Sequence, residues 1–121
     1  MIRLEGVVAG YGGGNVLQGV TLEVQAGELG CIVGPNGAGK STVLRVVSGL
    51  LSPSAGTVHL EGEDITGLPP HEVLARGITQ VPQTNGLFSN LTVRDNILMG
   101  AYVILRERAL VRERYERVLD M

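Results

Sequence analysis

Gly34-Pro35-Asn36-Gly37-Ala38-Gly39-Lys40-Ser41-Thr42 forms a complete G-x-x-x-x-G-K-S/T loop. Leu29-Gly30-Cys31-Ile32-Val33 leads into it as a short apolar stretch predicted to be a strand. Val43, Leu44, Val46, Val47 and Leu50 leave it at helical spacing, so the loop has the strand-loop-helix setting that its chemistry needs. A match of this kind arises by chance in a chain this long on the order of one time in a few hundred. A merely flexible glycine turn is the weaker reading.

The residue types follow from what an anion requires. Gly34, Gly37 and Gly39 lack a Cβ, so the backbone can curl and bring successive N–H groups, including those of Asn36 and Ala38, towards one phosphate. A helix beginning near Lys40 aims its unsatisfied amides and positive dipole end at the same point. In a loop of this type Lys40 reaches the β- and γ-phosphates and the Ser41 hydroxyl ligates the Mg²⁺ that bridges them, with Thr42 supporting an adjacent phosphate.

Composition limits what surrounds this loop. At 121 residues the chain is about one domain long, short for a complete P-loop ATPase. A net charge of −2 supplies no basic field for nucleic acid, so nucleic acid is not an expected partner. No apolar run approaches membrane-spanning length, and Met1-Ile2-Arg3-Leu4-Glu5 lacks the apolar core of a secretion signal. The single cysteine, Cys31, cannot form a disulfide within the chain, and inside an apolar strand it reads as a small buried thiol.

Outward from the loop, residues 2–9 alternate partially, as a strand does, and a glycine-rich turn around Tyr11 follows. Val20, Leu22 and Val24 alternate with polar residues as a half-buried antiparallel strand, closed at Ala26-Gly27-Glu28. Tyr11 is either a surface packing residue or a ring available to stack on a base. Beyond the loop helix, Thr57–Leu60 is a predicted strand entering a hairpin at Gly62-Glu63. Pro69 and Pro70 open a short helix through Arg76 that Gly77 ends, and Ile78–Val81 is a further predicted core strand stopped by Pro82. His59 and His71 have no second ligand or base at a recognisable spacing and read as solvated or strand-face residues.

Gln83 follows that predicted strand, where an open α/β sheet places ligand groups, although a lone glutamine is equally a loop residue. Residues 86–91 form a loop with apolar side chains whose Phe88 is either folded inward or kept for a partner. Thr92-Val93-Arg94-Asp95 has the form of a capping box and starts a helix. From Arg106 the pattern is charged and helical, with a Glu113–Arg117 pair and an apolar face of Val111, Tyr115, Val118 and Leu119. Without a helix terminator before Met121, that helix has the look of one that continues.

Taken together these segments resemble the ATP-binding subunit of ATP-binding cassette (ABC) transporters, and among them the ATPases of branched-chain amino-acid importers. Residues 34–42 resemble the Walker A loop, Tyr11 the aromatic A-loop and Gln83 the Q-loop, while residues 91–102 are similar to the start of the family's helical subdomain. The resemblance implies an α/β P-loop NTPase core of ABC type with an N-terminal antiparallel β subdomain. Residues 1–33 would be its β-rich part, 34–83 would run from Walker A to the Q-loop, and 84–121 would open the helical subdomain. It also implies an ATP and Mg²⁺ site in which Tyr11 stacks on adenine, Ser41 and Gln83 meet the metal, and Gln83 senses a transmembrane permease. The Phe88 region would contact that permease, a second ATP-binding subunit would complete a dimer, and the protein would sit on the cytoplasmic face of the inner (plasma) membrane.

The departures matter as much. The 121 residues contain no LSGGQ-like signature, no apolar run ending in Asp-Glu and no switch histidine. Phosphoryl transfer depends on positioning and charge stabilisation, so the chain alone is expected to bind nucleotide and to hydrolyse it weakly or not at all. The family's later strands would flank Leu29–Val33, so that strand would have exposed edges unless a partner covers it or the sequence is a piece of a longer protein, truncated before the signature and Walker B segments. A non-catalytic nucleotide-binding or interaction module, complete at this length, is the alternative reading. A P-loop GTPase or kinase is disfavoured because no N-K-x-D-like motif is present.

Overall fold

The computed structural model describes residues 1–84 and 86–121. It divides into two compact units, Met1–Gln80 and Val81–Met121. The first carries strands β1 (Ile2–Gly10), β2 (Asn15–Val24), β3 (Ala55–Leu60) and β4 (Glu63–Asp64) with helices α1 (Lys40–Val47) and α2 (Pro70–Ala75). The second carries α3 (Val93–Met99), a 3₁₀ turn (Tyr102–Ile104) and α4 (Arg108–Leu119).

β1 is the spine of the first unit. The sheet is antiparallel with spatial order β2-β1-β3-β4, so β1 pairs on both sides. Its core residues Leu4, Val7 and Ala9 are fully buried. A plain strand would put Leu4 and Val7 on opposite faces, because three positions is an odd step. Gly6, at φ 56°, breaks the ladder there, and the pairing shifts between Leu4 and Val7 against β2. The resulting bulge returns Val7 to the core face. The freed Gly6 amide donates to Thr21 Oγ1 at 2.9 Å, and a Cβ on the facing Gly56 would lie 2.4 Å from the Gly6 carbonyl oxygen. This explains why the alternation along residues 2–9 is only partial.

Leu17 of β2, Val43 and Val46 of α1, Val58 of β3 and Ile65 complete the core beneath the sheet. Two-residue turn chemistry closes β3 onto β4, but one residue earlier than the sequence reading. Glu61 and Gly62 both have positive φ, 49° and 84°, the conformation of a type I′ hairpin turn. Beside it the Asp64 carboxylate is held below its ordinary range by the Thr66 side chain and then the Thr66 amide. Helix α2 opens and closes as expected, with Pro70 in its first turn and Gly77 after Arg76 at φ 99°.

Three expectations fail, and for one shared reason. Leu29–Val33 is not a strand, and Leu29 and Val33 are 98% and 84% exposed. Ile78–Val81 is not a strand either; Ile78 packs on the core and donates to the Val73 carbonyl at 3.3 Å. Cys31 is exposed rather than buried. An apolar stretch becomes a strand only when a neighbour pairs its N–H and C=O groups, and among the described residues the ladders pair only β1 with β2, β1 with β3 and β3 with β4.

In the second unit the capping box forms. Thr92 Oγ1 accepts the Asp95 amide at 3.1 Å and donates to Asp95 Oδ2 at 2.6 Å, so Asp95 reaches back to the hydroxyl rather than to the backbone. Asn96 then staples the preceding loop. Its Oδ1 accepts the Phe88 amide at 2.8 Å, and its Nδ2 donates to the carbonyls of Phe88, Leu91 and Thr92. α4 starts at Arg108, two residues later than expected. Its ion pair is Arg112–Glu116 at 3.2 Å, one residue before the predicted Glu113–Arg117. Val111 and Tyr115 face Ile97 and Leu98 across an apolar groove of about 390 Å³, whereas Leu119 remains exposed. Among the described residues no helix is long and apolar enough to cross a membrane.

Leu4→Ala is expected to cost about 2–5 kcal/mol in denaturant unfolding, the range for deleting a fully buried leucine. Asn96→Ala is expected to speed hydrogen exchange at the Phe88 amide while leaving the amides of β1 protected, which proton-exchange NMR resolves residue by residue.

Candidate functional site

The loop at residues 34–42 ends on the sheet through a glycine. Gly39 precedes α1 at φ 94°, and a Cβ there would sit 2.8 Å from Leu17 Cδ2 and 3.4 Å from Val16 Cγ1. Leu17 is itself buried in the core, so no side chain fits between loop and strand. The seat is therefore set by β2, and α1 leaves it with Thr42, Val43 and Val46 buried and Ser41 exposed.

The helix end is open electrostatically. No side chain caps α1, and no acidic residue occupies its first turn. The Val43 amide bonds the Gly39 carbonyl at 2.9 Å, which leaves the amides of Lys40, Ser41 and Thr42 ahead of it as the outward-directed donors of the helix start. Ala38 differs from the sequence reading in that its amide closes a turn onto the Pro35 carbonyl at 3.2 Å. Lys40 Nζ folds back over the loop and donates to the carbonyls of Gly34 and Pro35, both at 2.6 Å. An ammonium has three donors, so one remains beyond these two bonds. A full positive charge, a helix dipole and uncapped amides thus converge on one short loop, the setting that favours a phosphate.

Tyr11 opens the four-residue connection between β1 and β2 and is 54% exposed. The structure places it in the same unit as the loop. The Arg45 guanidinium carbon lies over its ring, 5.8 Å from the centroid, within cation–π range. Arg45 is four residues after Ser41, so the two share one face of α1 a single turn apart. The remaining site candidate, Gln83, belongs to the second unit and is exposed, as is Phe88 at 52%.

Three features were not read from the sequence. The Tyr11–Arg45 contact joins residues with no recognisable spacing. The Ser48 hydroxyl, in the turn that ends α1, approaches the Leu44 carbonyl at 2.9 Å and Gln80 Oε1 at 2.8 Å, anchoring the chain just before the first unit ends. The Asn96 staple is the third. Only the last had a local signal, since Asn96 directly follows the capping box.

The family described as ABC transporter matches residues 17–121. The chain is 39% identical over 120 residues to the probable branched-chain amino acid transport ATP-binding protein LivF of Archaeoglobus fulgidus, covering 99% of this chain and 50% of that protein. It is 36% identical over 118 residues to the putative 2-aminoethylphosphonate import ATP-binding protein PhnT of Salmonella typhimurium, covering 98% of this chain and 31% of that one. The chain thus spans half the length or less of these curated relatives. Among solved structures, the dimeric post-hydrolysis state of the ATP-binding cassette MJ0796 bound to ADP and Pi superposes with a TM-score of 0.78 at 27% identity, over 99% of this chain and 56% of that chain.

Gly39→Ala is expected to displace the loop from β2 and so to lower both the melting temperature and phosphate-ligand affinity. Gly37→Ala makes the comparison, because a Cβ there meets open space and pays only for its φ of 84°; it should lose less stability than Gly39→Ala in parallel thermal melts.

Proposed function

This chain belongs to the ABC transporter family, and from that premise we propose that it forms the nucleotide-holding part of an importer's ATP-binding subunit, with ATP as its ligand. The observation that carries the reading is the uncapped, acid-free start of α1 with Lys40 Nζ folded over the same loop. Such an arrangement suits a polyanion and has no use for a neutral ligand.

Each residue then has a role. The amides at the start of α1 and those of the loop at Asn36 and Gly37 hold phosphate oxygens, while Lys40 trades a carbonyl contact for the β- and γ-phosphates. Ser41, exposed beside them, would hold Mg²⁺, and Gln83 is proposed as a further ligand on the family resemblance alone; the metal would supply positive charge to the phosphates. Tyr11 stacks on the adenine. These groups bind and orient; the family's LSGGQ-like signature and its apolar run ending in Asp-Glu are not in the 121 residues. The chain by itself therefore binds Mg-ATP with little or no turnover, and hydrolysis requires groups contributed from elsewhere.

For the assembly, the reading is a peripheral cytoplasmic subunit that pairs with a second ATP-binding subunit and meets a permease through the loop around Phe88. The exposure of Phe88 and the Asn96 staple that shapes its loop support that surface. Branched-chain amino acids are the favoured cargo, supported by the 39% identity with LivF across nearly the whole chain. The similarity to PhnT, named for a phosphonate, makes cargo the part to test by uptake assays of leucine against 2-aminoethylphosphonate.

Calorimetric titration is expected to show Mg-ATP binding that Lys40→Ala weakens at least about tenfold, the low end for losing a charged hydrogen bond, with phosphate release near background for both proteins. Unchanged affinity in Lys40→Ala would sink the reading.

A further inference from the structure

We infer that Arg45 is a positioning residue for nucleotide: by covering one face of Tyr11 it holds the ring to α1 and leaves the opposite face for the base. The inference rests on the proposed role of Tyr11 as the base platform and adds the device that fixes where that platform stands.

Tyr11 sits in a connection whose next three residues are Gly12, Gly13 and Gly14, none of which has a side chain to brace the ring. Its hydroxyl has no hydrogen-bond partner among the described residues, and its ring is half exposed. The Arg45 guanidinium carbon lies over the ring, 5.8 Å from the centroid. That guanidinium forms no ion pair with a carboxylate among the described residues, so its charge is directed at the π face rather than divided with an anion. The interaction is electrostatic attraction to the ring quadrupole, and arginine adds planar stacking to it.

The backbone of Arg45 is firmly placed even though its side chain is exposed. Its helical neighbours Val43 and Val46 are buried, and its carbonyl accepts the Leu51 amide at 3.1 Å. Arg45 also stands just over one turn, about 6 Å along the axis, from Ser41 at the end of the loop. One rigid helix thus carries the phosphate donors at its start and the brace for the ring one turn later. Arg45 turns a tyrosine on a glycine loop into a platform at a fixed reach from the phosphates. Binding then avoids part of the entropy of ordering that ring.

A double-mutant cycle read with two ligands tests this. Affinities of Mg-ATP and of Mg-tripolyphosphate, which has no base, are measured for the wild-type protein, Arg45→Ala, Arg45→Lys, Tyr11→Ala and Arg45→Ala/Tyr11→Ala, with melting curves confirming that each is folded. Arg45→Ala is expected to weaken ATP about two- to fivefold, the scale of an exposed cation–π contact, and to leave tripolyphosphate unchanged. Arg45→Lys should recover part of the loss, and Arg45→Ala should add nothing once Tyr11 is alanine. Equal weakening of both ligands would reduce Arg45 to a general positive charge and overturn the inference, as would full additivity with Tyr11→Ala. If Tyr11→Ala affects ATP and tripolyphosphate alike, the platform reading itself falls and takes the inference with it. If Tyr11→Ala selectively weakens ATP while Arg45→Ala does nothing, only the role of Arg45 is lost.

Discussion

The contact between Gly39 and Leu17 carries the rest of the first unit. A backbone with no Cβ lies directly on a buried leucine of β2, with only 2.8 Å between the leucine methyl and the place a Cβ would occupy. From that seat α1 takes its direction, buries Thr42, Val43 and Val46, and exposes Ser41 and Arg45. β2 in turn is held by β1, and β1 by β3. The sheet therefore places the start of the helix, and the helix places both its uncapped first amides and the arginine that meets Tyr11. The geometry of the loop thus depends on how closely two pieces of backbone approach.

Local chemistry was legible in the sequence wherever neighbours along the chain decide the outcome. The loop and the start of α1 at Lys40 follow from glycines and a 3.6-residue apolar period. The Thr92–Asp95 cap and the Pro70–Gly77 limits of α2 follow from residue types with one strong preference each. Whatever depends on distant partners was not legible. Leu29–Val33 has the composition of a strand, yet strand character is conferred by a pairing neighbour, and the described residues supply none. The burial of Cys31 was inferred from that strand and failed with it. The Tyr11–Arg45 contact joins two surface residues through the fold, and neither residue type at its position announces the other.

The same division separates how the two units are stabilised. The first has a continuous apolar core under a four-stranded sheet. The second has no fully buried side chain in α3 or α4 and relies on hydrogen bonds made by Thr92, Asp95 and Asn96. Hydrophobic burial gives the loop at residues 34–42 a packed base, whereas polar staples give the Phe88 loop a shape at small cost in buried area. Family membership assigns both units to one cassette.

The bulge at Gly6 acts on more than the packing of Val7. Both ladders of β1 are interrupted at the same level, between Leu4 and Val7 towards β2 and between Glu5 and Val8 towards β3. A neighbour that slid along β1 by one step would set a regular stretch against an irregular one and leave the Thr21 hydroxyl away from the Gly6 amide. The irregularity works as a vernier mark: two scales read true at a single setting. A chain that must find that setting rejects its near misses early, so the defect in the strand narrows the set of sheets these residues can build.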